Sequence, residues 1–125
     1  MIFCGRLNQS QLLEAYARSS LVVLASIHET APIALAQAMA AGKLFVASRV
    51  GGIPWMIEDG VTGFLVDVGD MQGMADRMIE LLRDESKRKH MGQAGREIAR
   101  KRYAADKVAE QTVQAYRDLR DKKEM

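Results

Sequence analysis

Short unbroken apolar runs alternate with helically spaced ones along the first half of the chain. Ile2-Phe3-Cys4 is a strand candidate ending at Gly5, and Leu21-Val22-Val23-Leu24-Ala25 runs without a polar break. Leu44-Phe45-Val46-Ala47 and the shorter Phe64-Leu65-Val66 follow. An unbroken run such as Leu21–Ala25 fits a parallel strand covered on both faces. Between the first two runs, Asn8 stands in capping-box spacing with Gln11, and Leu12, Leu13, Tyr16 and Ala17 give the helix an apolar face. Pro32 sits where a first helical residue belongs, in a helix over 32–41 that Gly42 ends. Trp55-Met56-Ile57 reads as a short helical turn and Asp59-Gly60 as a tight turn.

The second half is helical. Met71, Met74, Ala75, Met78, Leu81 and Leu82 keep helical spacing. So do Met91, Ala94 and Ile98, and then Val108, Ala109, Thr112, Val113, Tyr116 and Leu119. All three stripes, methionines included, read as core-facing. Alternation of strands and helices predicts an α/β fold with an open parallel sheet of about four strands and flanking helices. At 125 residues this is one domain, 1–125, with a core over 1–83 and C-terminal helices over 84–125.

Composition narrows the function classes. A hydrophobic share of 48% and a charged share of 27% are ordinary for a globular domain, and no apolar run approaches the roughly 20 residues of a membrane span. Met1–Cys4 is too short, and lacks the positive start, for a signal peptide. Cys4 is the only cysteine, which excludes an internal disulfide and points to a reducing, cytoplasmic setting. His28 and His90 are far apart and show no metal-ligand spacing. The net charge of +2 implies nothing about nucleic acid. Eight of the cations cluster as Arg83, Lys87, Arg88, Lys89, Arg96, Arg100, Lys101 and Arg102. They read as a solvated helix face, with an anionic membrane surface as the alternative. No aromatic residues interleave them as single-strand binding requires.

The most informative stretch runs from Ser26 to Gly52. Glu29 stands where an apolar strand gives way to a helix, and the amides of Ile33 and Ala34 then emerge at the positive helix end. A phosphate binds to backbone in that way. Seven residues separate Glu29 from Gln37. No second carboxylate, nucleophile elbow or Walker loop accompanies them.

This stretch resembles the donor-sugar site of the retaining family 4 (group 1) glycosyltransferases, whose hallmark is a Glu, seven residues, a second Glu and then A-M-A-x-G. Glu29 matches the first Glu, Ala38-Met39-Ala40-Ala41-Gly42 the tail, and Gln37 replaces the second Glu. The resemblance continues through Gly51-Gly52-Ile53-Pro54, Glu58–Val66 and Gly69-Asp70. It implies a Rossmann-like sheet forming part of the C-terminal, donor-binding domain of a GT-B enzyme. The implied reaction transfers a hexose from a nucleotide-diphosphate sugar with retention, without metal or cofactor.

By the same resemblance Glu29 would contact the donor sugar and Gln37 the ribose. Ala31, Pro32, Ile33 and Ala34 would form the helix start that receives the diphosphate. Gly5, Arg6 and Leu7 resemble a segment whose backbone lines the base pocket, with a solvent-facing loop charge as the favoured reading of Arg6. Trp55 stands where the family usually has Glu, either as an exposed contact or as a buried plug. No residue is assigned as catalytic.

The resemblance starts at the family's third strand of the second domain. It implies that the acceptor-binding domain and a diphosphate-clamping basic pair are absent, leaving the chain inactive alone. A bare edge on the Leu21–Ala25 strand is then expected. It would be closed by the Ile2–Cys4 strand, by a second copy in a homo-oligomer such as a dimer, or by a complementary front-half protein. A non-catalytic binding or assembly module on the same scaffold is the rival reading.

Overall fold

The computed structural model describes residues 1–123. Its elements run α1 (Gln9–Arg18), β1 (Val22–Leu24), α2 (Ile33–Ala40), β2 (Phe45–Ser48), α3 (Ile53–Met56) and β3 (Gly63–Val66). Three long helices follow: α4 (Met71–Arg83), α5 (Glu85–Arg102) and α6 (Ala105–Lys123). The strands form one parallel sheet in the order β1-β2-β3, with Val23 opposite Val46 and Val46 opposite Phe64.

The period-2 alternation of strand side chains divides the core in two. Phe45, Ala47 and Leu65 pack with Tyr16 of α1, Leu35, Ala38 and Met39 of α2, Ile53 and Met56 of α3 and Ala99 of α5. Val46, Phe64 and Val66 face the other way, against Leu81 of α4 and Met91 of α5, with Met74 and Met78 alongside. Every residue of β2 and β3 is buried, whereas Val23 of β1 is 37% exposed. The outer edge of β3 is covered locally. The Gly60 amide donates to the Gly63 carbonyl, and the Leu65 amide donates to Asp59 Oδ1.

Helix ends obey local chemistry. Asn8 and Gln11 exchange both capping-box hydrogen bonds, at 2.9 and 3.0 Å. At the end of α2 the Lys43 amide donates to Ala38 and the Gly42 amide to Met39, a Schellman closure that needs the left-handed φ of 75° at Gly42. Gly92 of α5 then presses on this turn, and a Cβ there would fall on the Gly42 carbonyl oxygen.

Three expectations are corrected. Ile2-Phe3-Cys4 is exposed coil, so the sheet has three strands rather than four. A strand exists through its ladder, and this segment pairs with none. The Leu21–Ala25 run is not covered on both faces: Val22 and Leu24 are half-buried on one side and Val23 is exposed on the other. The stripe on α6 is not core: that helix has no buried residue, and Val108, Val113, Tyr116 and Leu119 are all exposed. A smaller difference is that Pro32 is the N-cap of α2 rather than its first residue.

Candidate functional site

The three parallel strands end at one pole, and their following loops meet there. In open α/β sheets this is the pole where ligands sit. The loop after β1 carries Glu29. Ser26 Oγ donates to Glu29 Oε1 at 2.8 Å, which orients the carboxylate from within its own loop.

The loop after β2 fixes the same turn from outside. Gly51 has φ 58°, and a Cβ on it would overlap the Glu29 carbonyl. A Cβ on Gly52 would overlap the Thr30 carbonyl, to which the Gly52 amide donates. Two consecutive glycines are therefore required for backbone to rest on backbone. His28, Glu29, Thr30, Val50 and Gly51 line the resulting concavity of about 580 Å³. A smaller hollow of about 190 Å³ at the same pole is lined by residues that include Ser26, Ser48, Asp67 and Asp70. Arg49 braces this pole, its Nε donating to Asp67 at 3.3 Å and its Nη2 lying 3.6 Å from Asp59.

The start of α2 borders the Glu29 loop. Pro32 caps it without a side-chain hydrogen bond, and the first amide with a backbone acceptor is that of Leu35, which donates to Pro32. Among the described residues, nothing in the protein accepts from the Ile33 and Ala34 amides. The Tyr16 hydroxyl reaches the Ala34 carbonyl at 3.4 Å, tying α1 to this turn, and burial pushes its pKa above the usual phenol value.

Glu29, Ala31, Pro32, Ile33 and Ala34 thus lie on one continuous turn. Gln37 lies one helical turn further along α2, half-buried. Gly5 and Arg6 are exposed coil ahead of α1, and neither they nor Leu7 line the concavities at this pole. Trp55 is 83% exposed, which removes the buried-plug alternative. Sequence reasoning did not single out Ser26, His28, Thr30, Arg49 or Asp67. Of these, only the Ser26–Glu29 spacing carried a local signal, since a hydroxyl three residues before a carboxylate in a turn readily bonds to it. Among the described residues no three or more His, Cys, Asp or Glu side chains are grouped to hold a metal ion, and no helix is long and apolar enough to cross a membrane.

Residues 1–98 match the family model described as glycosyl transferases group 1. The N-acetyl-alpha-D-glucosaminyl L-malate synthase of Bacillus anthracis is 40% identical over 124 residues, covering 98% of this chain and 32% of that protein. The sulfoquinovosyl transferase of Arabidopsis thaliana is 37% identical over 103 residues, covering 80% of this chain and 20% of that one. The chain therefore spans about a third or less of these relatives' length. Among solved structures, sucrose-phosphate synthase from Thermosynechococcus elongatus superimposes with a TM-score of 0.87 at 29% identity, covering 94% of this chain and 30% of that one. HepE of Anabaena, in complex with UDP, gives 0.79 at 26% identity, covering 84% of this chain and 29% of that one. HepE has also been solved with UDP-glucose. With its Rossmann-like parallel sheet and these GT-B relatives, the chain belongs to the group 1 glycosyl transferases.

Proposed function

We propose that residues 1–125 form the donor-binding portion of an enzyme that transfers a hexose from a nucleotide-diphosphate sugar with retention of configuration. The observation that carries this reading is the Glu29–Thr30 turn, clasped by Gly51–Gly52 beside a helix start with free amides. A diphosphate on Ile33 and Ala34 would use orphan donors at the positive end of α2. The same dipole would stabilise charge developing on the departing diphosphate. Ala31 and Pro32 shape the approach to those amides.

Glu29, already aligned by Ser26, accepts hydrogen bonds from the sugar hydroxyls. Gln37 meets the ribose with one acceptor and one donor, where a carboxylate would accept from both hydroxyls, so nucleotide affinity is reduced but not lost. The complexes of HepE with UDP and UDP-glucose support uridine as the first base to test. Acceptor binding is assigned to parts of a longer protein, so these residues alone bind donor without transferring sugar. The reading calls for no metal or cofactor and for a cytoplasmic setting.

Calorimetric titration with UDP, GDP and ADP tests the reading. Saturable heat with one of them is the expected result. Absence of heat with all three would overturn it.

The bare edge of β1, with Val23 exposed, favours a second reading as an assembly module. A second copy in a dimer, or a separately encoded front-half protein, would pair there. A monodisperse monomer by light scattering at high concentration, alone and mixed with a candidate partner, would remove it.

A further inference from the structure

Trp55 is the only tryptophan in the chain, and its indole is 83% exposed. The backbone beneath it is nonetheless fixed. Ile53 is fully buried and Met56 is 8% exposed, and both sit in the core between α2, α3 and the sheet. The Trp55 amide donates to Gly52 at 3.1 Å, and Arg102 Nη1 donates to the Trp55 carbonyl at 3.2 Å. A rigid mount therefore holds the largest apolar side chain in water. Burying such a ring is favourable by several times the thermal energy, so the exposed indole leaves that contact energy open to a ligand.

The location suggests which occupant. Gly52 is the residue whose backbone rests on Thr30, and Trp55 begins one hydrogen-bonded turn after it. The Trp55 backbone is thus tied, one turn away, to the clasp that holds Glu29, with its indole free in solvent beside the residues that line the concavity. An indole offers a flat apolar face with one N–H donor at its rim. A pyranose offers the complement, a face of C–H groups ringed by hydroxyls. No charged group is needed on either side.

We propose that Trp55 is a sugar-contact residue that stacks on the pyranose face of the nucleotide sugar while Glu29 takes its hydroxyls. This rests on the donor-site reading above and adds to it the residue that separates sugar nucleotide from bare nucleotide. Ile33, also largely exposed at the start of α2, borders the same pole without offering a ring.

The test is calorimetric titration of the chain, Trp55→Ala and Trp55→Phe with UDP and with UDP-glucose. Emission of the single tryptophan is followed in parallel, with methyl glucoside as a nucleotide-free probe. Trp55→Ala should weaken UDP-glucose about three- to tenfold and leave UDP unchanged, and Trp55→Phe should retain most of the affinity. UDP-glucose and methyl glucoside should shift the emission, and UDP should not. Equal loss of UDP and UDP-glucose in Trp55→Ala, or no loss of either, would overturn the proposal. If neither nucleotide binds, the donor reading falls and methyl glucoside decides alone. A shift in emission then upholds the stacking role, and an unmoved emission ends it.

Discussion

Gly51 lies so close to the Glu29 carbonyl that a side chain at position 51 would occupy the space of that oxygen. The contact joins the loop after β2 to the loop after β1 without any side chain between them. It explains why the position of Glu29 depends on a residue 22 positions later in the chain.

Gly51→Ala should therefore be costly twice over, through the left-handed φ of 58° and through overlap with backbone that cannot rotate away. We expect a loss of about 1–3 kcal/mol in unfolding free energy, with nucleotide binding reduced further by displacement of the Glu29 turn. Urea denaturation and titration of the same variant measure both parts. A variant as stable as the parent would contradict the backbone clasp.

Gly92→Ala tests the other backbone contact. Alanine improves helix propensity by up to about 1 kcal/mol at an unconstrained helical glycine. Here its methyl would strike the Gly42 carbonyl in the closure of α2, so we expect net destabilisation of roughly 1–3 kcal/mol. Gly5→Ala meets no neighbour, but its φ of 62° should still cost a fraction of that amount. The pair of denaturation curves separates crowding from conformational strain.

Much of the sheet was legible in the sequence because strands in a parallel sheet must be apolar on both faces. Phe45–Ser48 and Gly63–Val66 follow that rule, and Asn8 and Gln11 form the capping box their spacing suggests. The Ile2–Cys4 run carried the same apolar signal, but composition cannot report whether a ladder partner exists. The α6 stripe failed for a related reason, since helical spacing marks a face without saying what covers it. At the site, the turn and its free amides were visible from Glu29 and Pro32. The Gly51–Glu29 contact was not, being long-range and made by backbone alone.

Ser26→Ala removes the hydrogen bond that aligns Glu29. The bond is partly buried and neutral-to-charged, so stability should fall by no more than about 1–2 kcal/mol. Affinity for a sugar nucleotide should drop severalfold, while affinity for the bare nucleotide stays the same. Parallel titrations of the two ligands check this, and equal losses for both would show that Ser26 acts on the loop as a whole.

Acid should weaken the pairing of α4 with α5. Glu80 accepts from Lys87 and from Arg77 at 2.9 Å, and both cations lie over the Phe64 ring, at 5.3 and 4.4 Å from its centre. The hydrogen bonds from Lys87 and then Arg77 hold the Glu80 carboxyl below its ordinary value of 4.5. A lowered carboxylate pKa stabilises the fold above the ordinary value, and this contribution is lost as pH falls through the folded value. The carboxylate is 37% exposed, so the contribution is under about 1 kcal/mol. Glu80→Gln should thus be less stable than the parent near about pH 7 and indistinguishable from it in strong acid. A gap that persists in acid would assign the effect to packing instead.

Amide-resolved NMR during titration with UDP would show whether nucleotide diphosphate sits on the start of α2. The Ile33 and Ala34 amide signals should move most, followed by those of Glu29, Thr30 and Gly51. Shifts confined to the opposite pole, around Gly42, Lys43, Lys89 and Arg96, with Ile33 and Ala34 unmoved, would contradict it.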